Sequence, residues 1–89
     1  MYSFLHDHIP SLSDSSNPAD IRFKFEFPNG YAASVIKNEY SYGGSEGLWE
    51  IAILDRQGEI CYDTPITDDV IGWVEESAVS EILYAIHDL

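Results

Sequence analysis

The chain has 89 residues, and its 16 acidic side chains against 4 Lys or Arg give a formal net charge of −12. A field of this sign repels nucleic-acid phosphates and anionic membranes, which excludes direct binding of DNA or RNA as the expected function. The length and the 45% share of hydrophobic residues indicate one domain with a modest core, and the single cysteine, Cys61, excludes an internal disulfide and suits a reducing cytoplasm.

Residues 1–19 are expected to form a partly flexible N-terminal extension that precedes a single α+β domain at residues 20–89. The beginning of the extension carries apolar side chains that could dock on the domain or on a partner: Tyr2, Phe4, Leu5 and Ile9. Residues 11–18 are rich in Ser, Asn and Pro, which are turn formers, and we expect this part to be mobile.

Two strands joined by a tight turn are predicted next. In residues 20–27 every second side chain from Ile21 to Phe27 is apolar, which is typical of a half-buried strand. The Asn29-Gly30 dipeptide favours a hairpin turn because both residues tolerate positive φ. Residues 31–38 are expected to form the returning strand, since they include β-branched side chains.

Two further strands complete the predicted sheet. Residues 48–54 form a nearly continuous apolar run of strand length and are expected to be the central strand. A turn at residues 55–58, with Gly58 in a left-handed or bulge position, leads to a fourth strand at residues 59–62. Because the connections are short, these strands predict an antiparallel meander.

A break in the sheet and then a short helical turn are expected after the predicted strands. Thr64-Pro65 breaks the sheet because proline cannot donate to a strand ladder. The capping residues at 67–69 predict a short helical turn that extends to Gly72. No apolar run reaches the ~18 residues that a membrane span needs, so a membrane is not an expected partner.

A C-terminal helix is predicted by an apolar stripe at i, i+3, i+4 and i+7, formed by Val79, Ile82, Leu83 and Ile86. This stripe must be buried, and the strand face that carries Phe23 and Phe25 is the natural site for it. The predicted fold is therefore α+β, with a four-stranded antiparallel meander and a C-terminal helix packed on one face.

Candidate catalytic and metal-binding groups are few. The His6-Asp7-His8 segment resembles a metal-ligand cluster, but zinc needs four ligands and the other soft ligands, Cys61 and His87, are distant in sequence. Cys61 and His87 lack the surroundings of a Cys-His enzyme, and a lone cysteine in an apolar strand is more often a buried hydrophobic residue. Paired carboxylates usually face water rather than line a cleft. We expect no enzymatic activity, no cofactor and no metal site.

The acidic C-terminal third suits a basic protein partner. Residues 63–89 contain seven acidic residues and neither Lys nor Arg. Carboxylates on a helix face lie about 5–6 Å apart at i, i+3 or i+4 and can stand in for backbone phosphates, while Tyr and Trp are enriched at binding hot spots. The predicted partner-binding residues are Tyr62, Asp63, Asp68, Asp69, Trp73, Glu75, Glu76 and Glu81.

Three stretches carry a resemblance to known proteins: PNGYAASV at residues 28–35, YGGSEGLWE at residues 42–50 and CYDTPITDDVIG at residues 61–72. Together they resemble a group of small acidic bacteriophage-encoded proteins of unassigned function. The resemblance covers about residues 23–89, and residues 1–19 have no counterpart in it. It transfers no catalytic or binding residue.

The resemblance implies a phage or prophage gene that is expressed in the cytoplasm of a bacterial host. Small acidic phage proteins often inhibit host defence, as anti-CRISPR proteins and restriction inhibitors do, by occupying the basic groove in which an effector holds nucleic acid. The expected function is therefore inhibition of such an effector. The alternatives are a phage assembly or regulatory module that acts through homo-oligomerisation, for example as a homodimer, and an enzyme.

Overall fold

The structure, a computed structural model, describes residues 2–89 and contains one antiparallel sheet of five strands. The strands lie in the sheet in the order in which they occur in the chain, so each pairs with its neighbours in sequence. A single 3-10 turn at Gly44–Glu46 lies between the third and fourth strands. The helices and strands are α1 (Phe4–Asp7), β1 (Leu12–Asn17), β2 (Asp20–Glu26), β3 (Ala32–Asn38), β4 (Trp49–Leu54), β5 (Ile71–Val74) and α2 (Glu76–His87).

The three middle strands follow the predicted apolar alternation. β2, β3 and β4 lie within one residue of the strands predicted at 20–27, 31–38 and 48–54. Phe23, Val35 and Ile51 are paired across these strands, so their side chains share one face. The buried side chains of that face are Ile21, Phe23, Phe25, Ala33, Val35, Trp49, Ile51 and Ile53.

The C-terminal helix packs on this face, as predicted. α2 buries Val79, Leu83 and Ile86, which belong to the same core cluster as the sheet residues. Ile82, the remaining residue of the predicted stripe, is only half-buried. The α+β class, the antiparallel sheet and the position of the C-terminal helix are confirmed.

The β2–β3 turn also holds the end of α2. The predicted turn forms at Asn29-Gly30, where Gly30 has φ 91° and donates its N–H to the carbonyl of Phe27. The Asn29 side-chain Nδ2 donates to the carbonyl oxygens of Ile86 at 2.8 Å and His87 at 2.9 Å. These carbonyls belong to the last turn, where intrahelical N–H donors run out. The Asn29 amide satisfies them together with the Leu89 N–H, which donates to the Ile86 carbonyl at 3.2 Å.

The prediction of four strands is wrong, because the sheet has five: β1 and β5 pair at its two edges, while residues 59–62 do not form a strand. Only Ile60 bridges to β4, at Leu54, and the Cys61 N–H donates to the carbonyl of Ile53 before the chain leaves the sheet. The next part of the same edge of β4 is taken by β5, in which Ile71 pairs with Ile51. Residues 59–62 therefore pair with β4 over too short a stretch to form a strand.

The helical turn predicted from Thr67 to Gly72 is also wrong. The Thr67 Oγ1 accepts the N–H of Asp69 at 3.1 Å, and the Asp69 Oδ1 accepts the N–H of Val70 at 2.8 Å. These local bonds form a bend instead of starting a helix. The β-branched residues that follow then pair with β4 as β5, because strand pairing buries them.

The segment expected as an N-terminal extension contributes to both the core and the sheet. The ring of Phe4, on α1, is fully buried and lies edge-on to the rings of Phe23 at 5.7 Å and Trp49 at 5.1 Å. Residues 12–17 form β1, which pairs with β2 although all of its side chains are exposed. The boundary drawn at residue 20 thus crosses one continuous sheet.

Lys37 lies at the edge of this aromatic cluster, over two of its rings. Its Nζ lies 4.7 Å from the ring centre of Trp49 and 5.1 Å from that of Tyr2. A cation over a ring face is attracted by the quadrupole of the ring, and the contact keeps the ammonium group at the core edge.

The burial of Phe4 leads to a stability prediction. We expect Phe4→Ala to lower the free energy of unfolding by about 3–5 kcal/mol, because it leaves a cavity between the sheet and α2. Phe4→Leu refills much of that volume and has a smaller effect. Ile9→Ala is the control within the same segment, because Ile9 is 92% exposed, and it changes the value by less than about 0.5 kcal/mol. Urea titration followed by circular dichroism measures all three, and equal effects at Phe4 and Ile9 would contradict the docking of α1.

Candidate partner-binding surface

The loop between residues 61 and 70 leaves the sheet and returns to the same edge of β4. On the outgoing side Ile60 bridges to Leu54, and on the returning side Ile71 pairs with Ile51. Inside the loop, the Thr64 Oγ1 accepts the N–H of Thr67 at 3.3 Å. β4 therefore fixes both ends of a segment whose Cys61 and Ile66 side chains pack against the core.

All eight predicted partner-binding residues are exposed. The loop carries four of them, namely Tyr62, Asp63, Asp68 and Asp69, and β5 carries Trp73. The remaining three are Glu75, which directly precedes α2, and Glu76 and Glu81 on α2. They do not form a single helical row. Glu75 precedes α2 in extended conformation, and Glu76 and Glu81 are five residues apart, so the i, i+3, i+4 spacing does not connect them.

Two of these acids accept hydrogen bonds from other residues of the chain. The Glu76 Oε2 accepts the backbone N–H of Ser3 at 2.9 Å, which ties α1 to the start of α2. The Asp63 Oδ1 accepts the thiol proton of Cys61 at 2.9 Å. Each bond uses only one carboxylate oxygen and brings in no cation, so both side chains keep their negative charge at the surface.

The four basic side chains all precede the acidic third in the chain and have contacts of their own. Arg22 pairs with Asp20 at 3.0 Å, and its hydrogen bond lowers the pKa of that carboxyl. Lys24 lies 3.9 Å from Glu26. Lys37 caps the aromatic cluster, and the Arg56 Nη2 donates to the carbonyl of Asn29 at 3.3 Å. Within residues 2–89, no Lys or Arg pairs with an acid of residues 63–88.

Trp73 has an unusual backbone conformation for a large exposed side chain. Its φ is 57°, in the left-handed region, and 61% of its surface is exposed. It lies where the β4–β5 register shifts, between the pairs formed by Trp49 and Ile51. A bulge of this kind redirects a side chain, and glycine is the residue that usually takes the left-handed position.

Tyr42 is a neighbour of Trp73 that the sequence did not single out as part of the site. The Trp73 N–H donates to the Tyr42 carbonyl at 3.0 Å. The two chain segments touch through glycines, because a Cβ on Gly43 would lie 2.9 Å from the Trp73 Cα and one on Gly72 would collide with the Tyr42 Cβ. Tyr42 is 59% exposed. The sequence signals were an aromatic residue in excess of what a small core can hide and the two glycines that follow it, and neither indicated which segment they contact.

The cysteine is not arranged as a nucleophile. The hydrogen bond that the Cys61 thiol donates to the Asp63 side chain raises the pKa of the thiol, as do burial and the nearby negative charges, and a backbone hydrogen bond at Asp63 opposes them only in part. A raised thiol pKa reduces the thiolate population on which cysteine reactivity depends.

A Ser–His–Asp trio is present, but its protons are placed differently from those of a hydrolase. The Ser80 Oγ donates to the Asp7 Oδ2 at 2.9 Å and lies 3.2 Å from the His8 Nε2. Because an ionised carboxylate only accepts, the His8 nitrogen must be the donor to Ser80. His8 therefore does not act as a base towards this hydroxyl, as a catalytic triad requires. The three residues instead join α1 to α2.

Within residues 2–89, no three His, Cys, Asp or Glu side chains form a group that could hold a metal ion. The helices in this part of the chain lack the combined length and apolarity that crossing a membrane requires. Comparisons with protein-family models, with curated proteins and with solved structures gave no match for this chain. Inferences about its function therefore rest on the geometry and charge of its own surface.

The backbone of Trp73 leads to a stability prediction. Trp73→Gly and Trp73→Ala remove the same ring, but alanine keeps a Cβ at a positive φ. We expect Trp73→Gly to have the higher free energy of unfolding, by about 1 kcal/mol. Urea titration of the two variants measures this difference, and a more stable alanine variant would contradict the left-handed conformation.

His8 leads to a pH prediction. Burial lowers its pKa from the ordinary value of 6.5, against smaller opposing effects of a backbone hydrogen bond at Ser80 and of the Asp7 charge. The unfolded chain therefore takes up a proton first as the pH falls, so this contribution to stability is complete above pH ~6.5 and decreases down to the folded pKa. His8→Gln keeps a donor towards Ser80 but does not titrate.

We expect the free energy of unfolding of the natural chain to fall more between pH 7.5 and 5.5 than that of His8→Gln. Denaturant titrations at four or five pH values in this interval give both slopes. Parallel slopes would show that the environment of His8 does not favour its neutral form.

Proposed function

We propose that this protein is a non-catalytic phage protein that inhibits a host defence system, in the manner of anti-CRISPR proteins. Its acidic surface would cover the basic nucleic-acid-binding groove of an effector protein. One observation carries the proposal: residues 63–89 expose acids that no Lys or Arg neutralises, while all four basic residues lie between residues 22 and 56. The phage setting and the defence target are taken from the sequence resemblance alone.

Binding to a basic groove follows from simple electrostatics. A net charge of −12 raises the rate at which a basic partner is encountered. Contact then replaces the counterions of the groove with carboxylates, so affinity falls as salt screens the charges. The acids of the 61–70 loop and of the β5–α2 junction precede and follow the exposed Trp73 along the chain, and this ring would supply apolar contact.

The groups considered for catalysis support a binding role rather than an enzyme. The Cys61 thiol is a donor with a raised pKa, and the Ser80 hydroxyl gives its proton to a carboxylate. Neither arrangement activates a nucleophile.

A capture and competition experiment tests the proposal. Tagged protein is incubated with nuclease-treated bacterial lysate and washed at low and then at high salt, and the eluted proteins are identified. Support requires an eluted nucleic-acid-binding protein whose purified form loses its DNA or RNA when this chain is added in stoichiometric amount. A partner that resists high salt, or one that keeps its nucleic acid, would refute the decoy mechanism.

A matched pair of variants locates the surface. Asp68→Asn, Asp69→Asn and Glu75→Gln together remove three charges near Trp73, and we expect at least a tenfold loss of affinity for the captured partner, since several charge-assisted contacts are lost. The control changes three exposed acids elsewhere, Asp14→Asn, Glu39→Gln and Glu59→Gln, and so alters net charge equally. Isothermal titration calorimetry compares them. Equal losses would mean that net charge, and not this surface, determines binding.

Self-association is the second candidate function, and the edge strand β1 favours it. All of its side chains are exposed, including Leu12 at 58%, and an edge strand presents unpaired backbone groups. Two chains could pair through this edge as a homodimer in a phage assembly or regulatory role. Sedimentation velocity at two concentrations tests this, because a strict monomer at both excludes it.

A further inference from the structure

Trp73 occupies a position that the fold alone would give to glycine. Its φ of 57° is strained for a bulky side chain, and with 61% of its surface exposed it gains little burial in return. Strained residues are concentrated at functional sites, so an observed outlier points towards a role outside the fold. The ring is presented to solvent where a ligand can reach it.

Tyr42 is held beside Trp73 by backbone contacts that leave little freedom. The two residues share a hydrogen bond between the Trp73 N–H and the Tyr42 carbonyl, and the adjoining glycines allow their chain segments to touch. Within residues 2–89, neither ring stacks on another aromatic ring in the way that Tyr2 and Phe4 do. Both rings therefore retain surface for a ligand.

The charges around this pair have one sign. The Glu50 Oε1 lies 3.4 Å from the Tyr42 N–H, which fixes a carboxylate next to the tyrosine. The five residues on either side of Trp73 contain four acids and no base, namely Asp68, Asp69, Glu75 and Glu76. A cation is the ligand that aromatic faces and carboxylates attract together.

We infer that Trp73 and Tyr42 together bind an arginine side chain of the basic partner, with Glu50 as its counter-charge. This inference rests on the proposed function, because it names the group through which the partner is recognised. Arginine fits better than lysine because its guanidinium is planar and weakly hydrated, stacks on aromatic rings and bonds a carboxylate through two N–H groups. Tyr42 thereby takes the role of second aromatic contact that the sequence assigned to Tyr62.

Two peptides of equal charge provide the test: acetylated and amidated hexa-arginine and hexa-lysine, titrated calorimetrically into the full chain at fixed ionic strength. We expect hexa-arginine to bind about fivefold more tightly. Trp73→Gly, which removes the ring at a φ that glycine tolerates, and Tyr42→Ala should each reduce hexa-arginine binding to about the level of hexa-lysine. Tyr62→Ala is the control, since Tyr62 is a comparably exposed tyrosine of the acidic loop, and it should leave the preference unchanged.

Fluorescence gives an independent readout, because the only other tryptophan, Trp49, is 1% exposed. Hexa-arginine should change the emission of the natural chain and not that of Trp73→Gly. Equal binding of the two peptides, unaffected by Trp73→Gly, would overturn the arginine site while leaving the acidic surface in place. Failure of both peptides to bind would overturn the proposed function as well. Loss of the preference in Tyr62→Ala would refute the pairing with Tyr42.

Discussion

The burial of the Phe4 ring between the sheet and α2 is the contact on which the arrangement of the N-terminal half depends. Phe4 meets Phe23 and Trp49 edge-on, so a residue from the first turn of the chain completes a core built mainly by the sheet. β1 has no buried side chain, and its position relies on hydrogen bonds to β2 and on the docking of α1 before it. A domain of this size buries only about 60–65% of its unfolded surface. One aromatic ring is therefore a large share of its stability.

Charged side chains are arranged differently in residues 2–62, called here the sheet half, and in residues 63–89, the C-terminal third. In the sheet half every basic side chain has a contact of its own, and Lys37 is used on the aromatic cluster instead of against an acid. In the C-terminal third no Lys or Arg of the described residues pairs with an acid, although Glu76 and Asp63 accept hydrogen bonds, and Trp73 is both strained and exposed. A cationic, partly apolar partner would screen these carboxylates and cover the Trp73 ring, which is why these features are best understood together.

The parts of the fold that the sequence predicted are those in which local pattern and burial agree. Alternation located β2, β3 and β4, and the apolar stripe located α2. β1 has no pattern, because none of its side chains is buried, and β5 was obscured by capping residues that form a bend instead of a helix. The exposed acids could be anticipated from composition. Tyr42 could not, since it joins Trp73 only through the close approach of two glycine-containing segments.

The excursion from β4 at residue 61 and the return at residue 71 separate the acidic loop from the rest of the sheet. Because both ends are fixed on one strand, exposed residues could be inserted between them without moving either anchor, as long as Cys61 and Ile66 keep their contacts with the core. Closing a loop twice as long costs only about 0.6 kcal/mol more. The length and charge of the exposed part of this segment can therefore vary while the core stays the same.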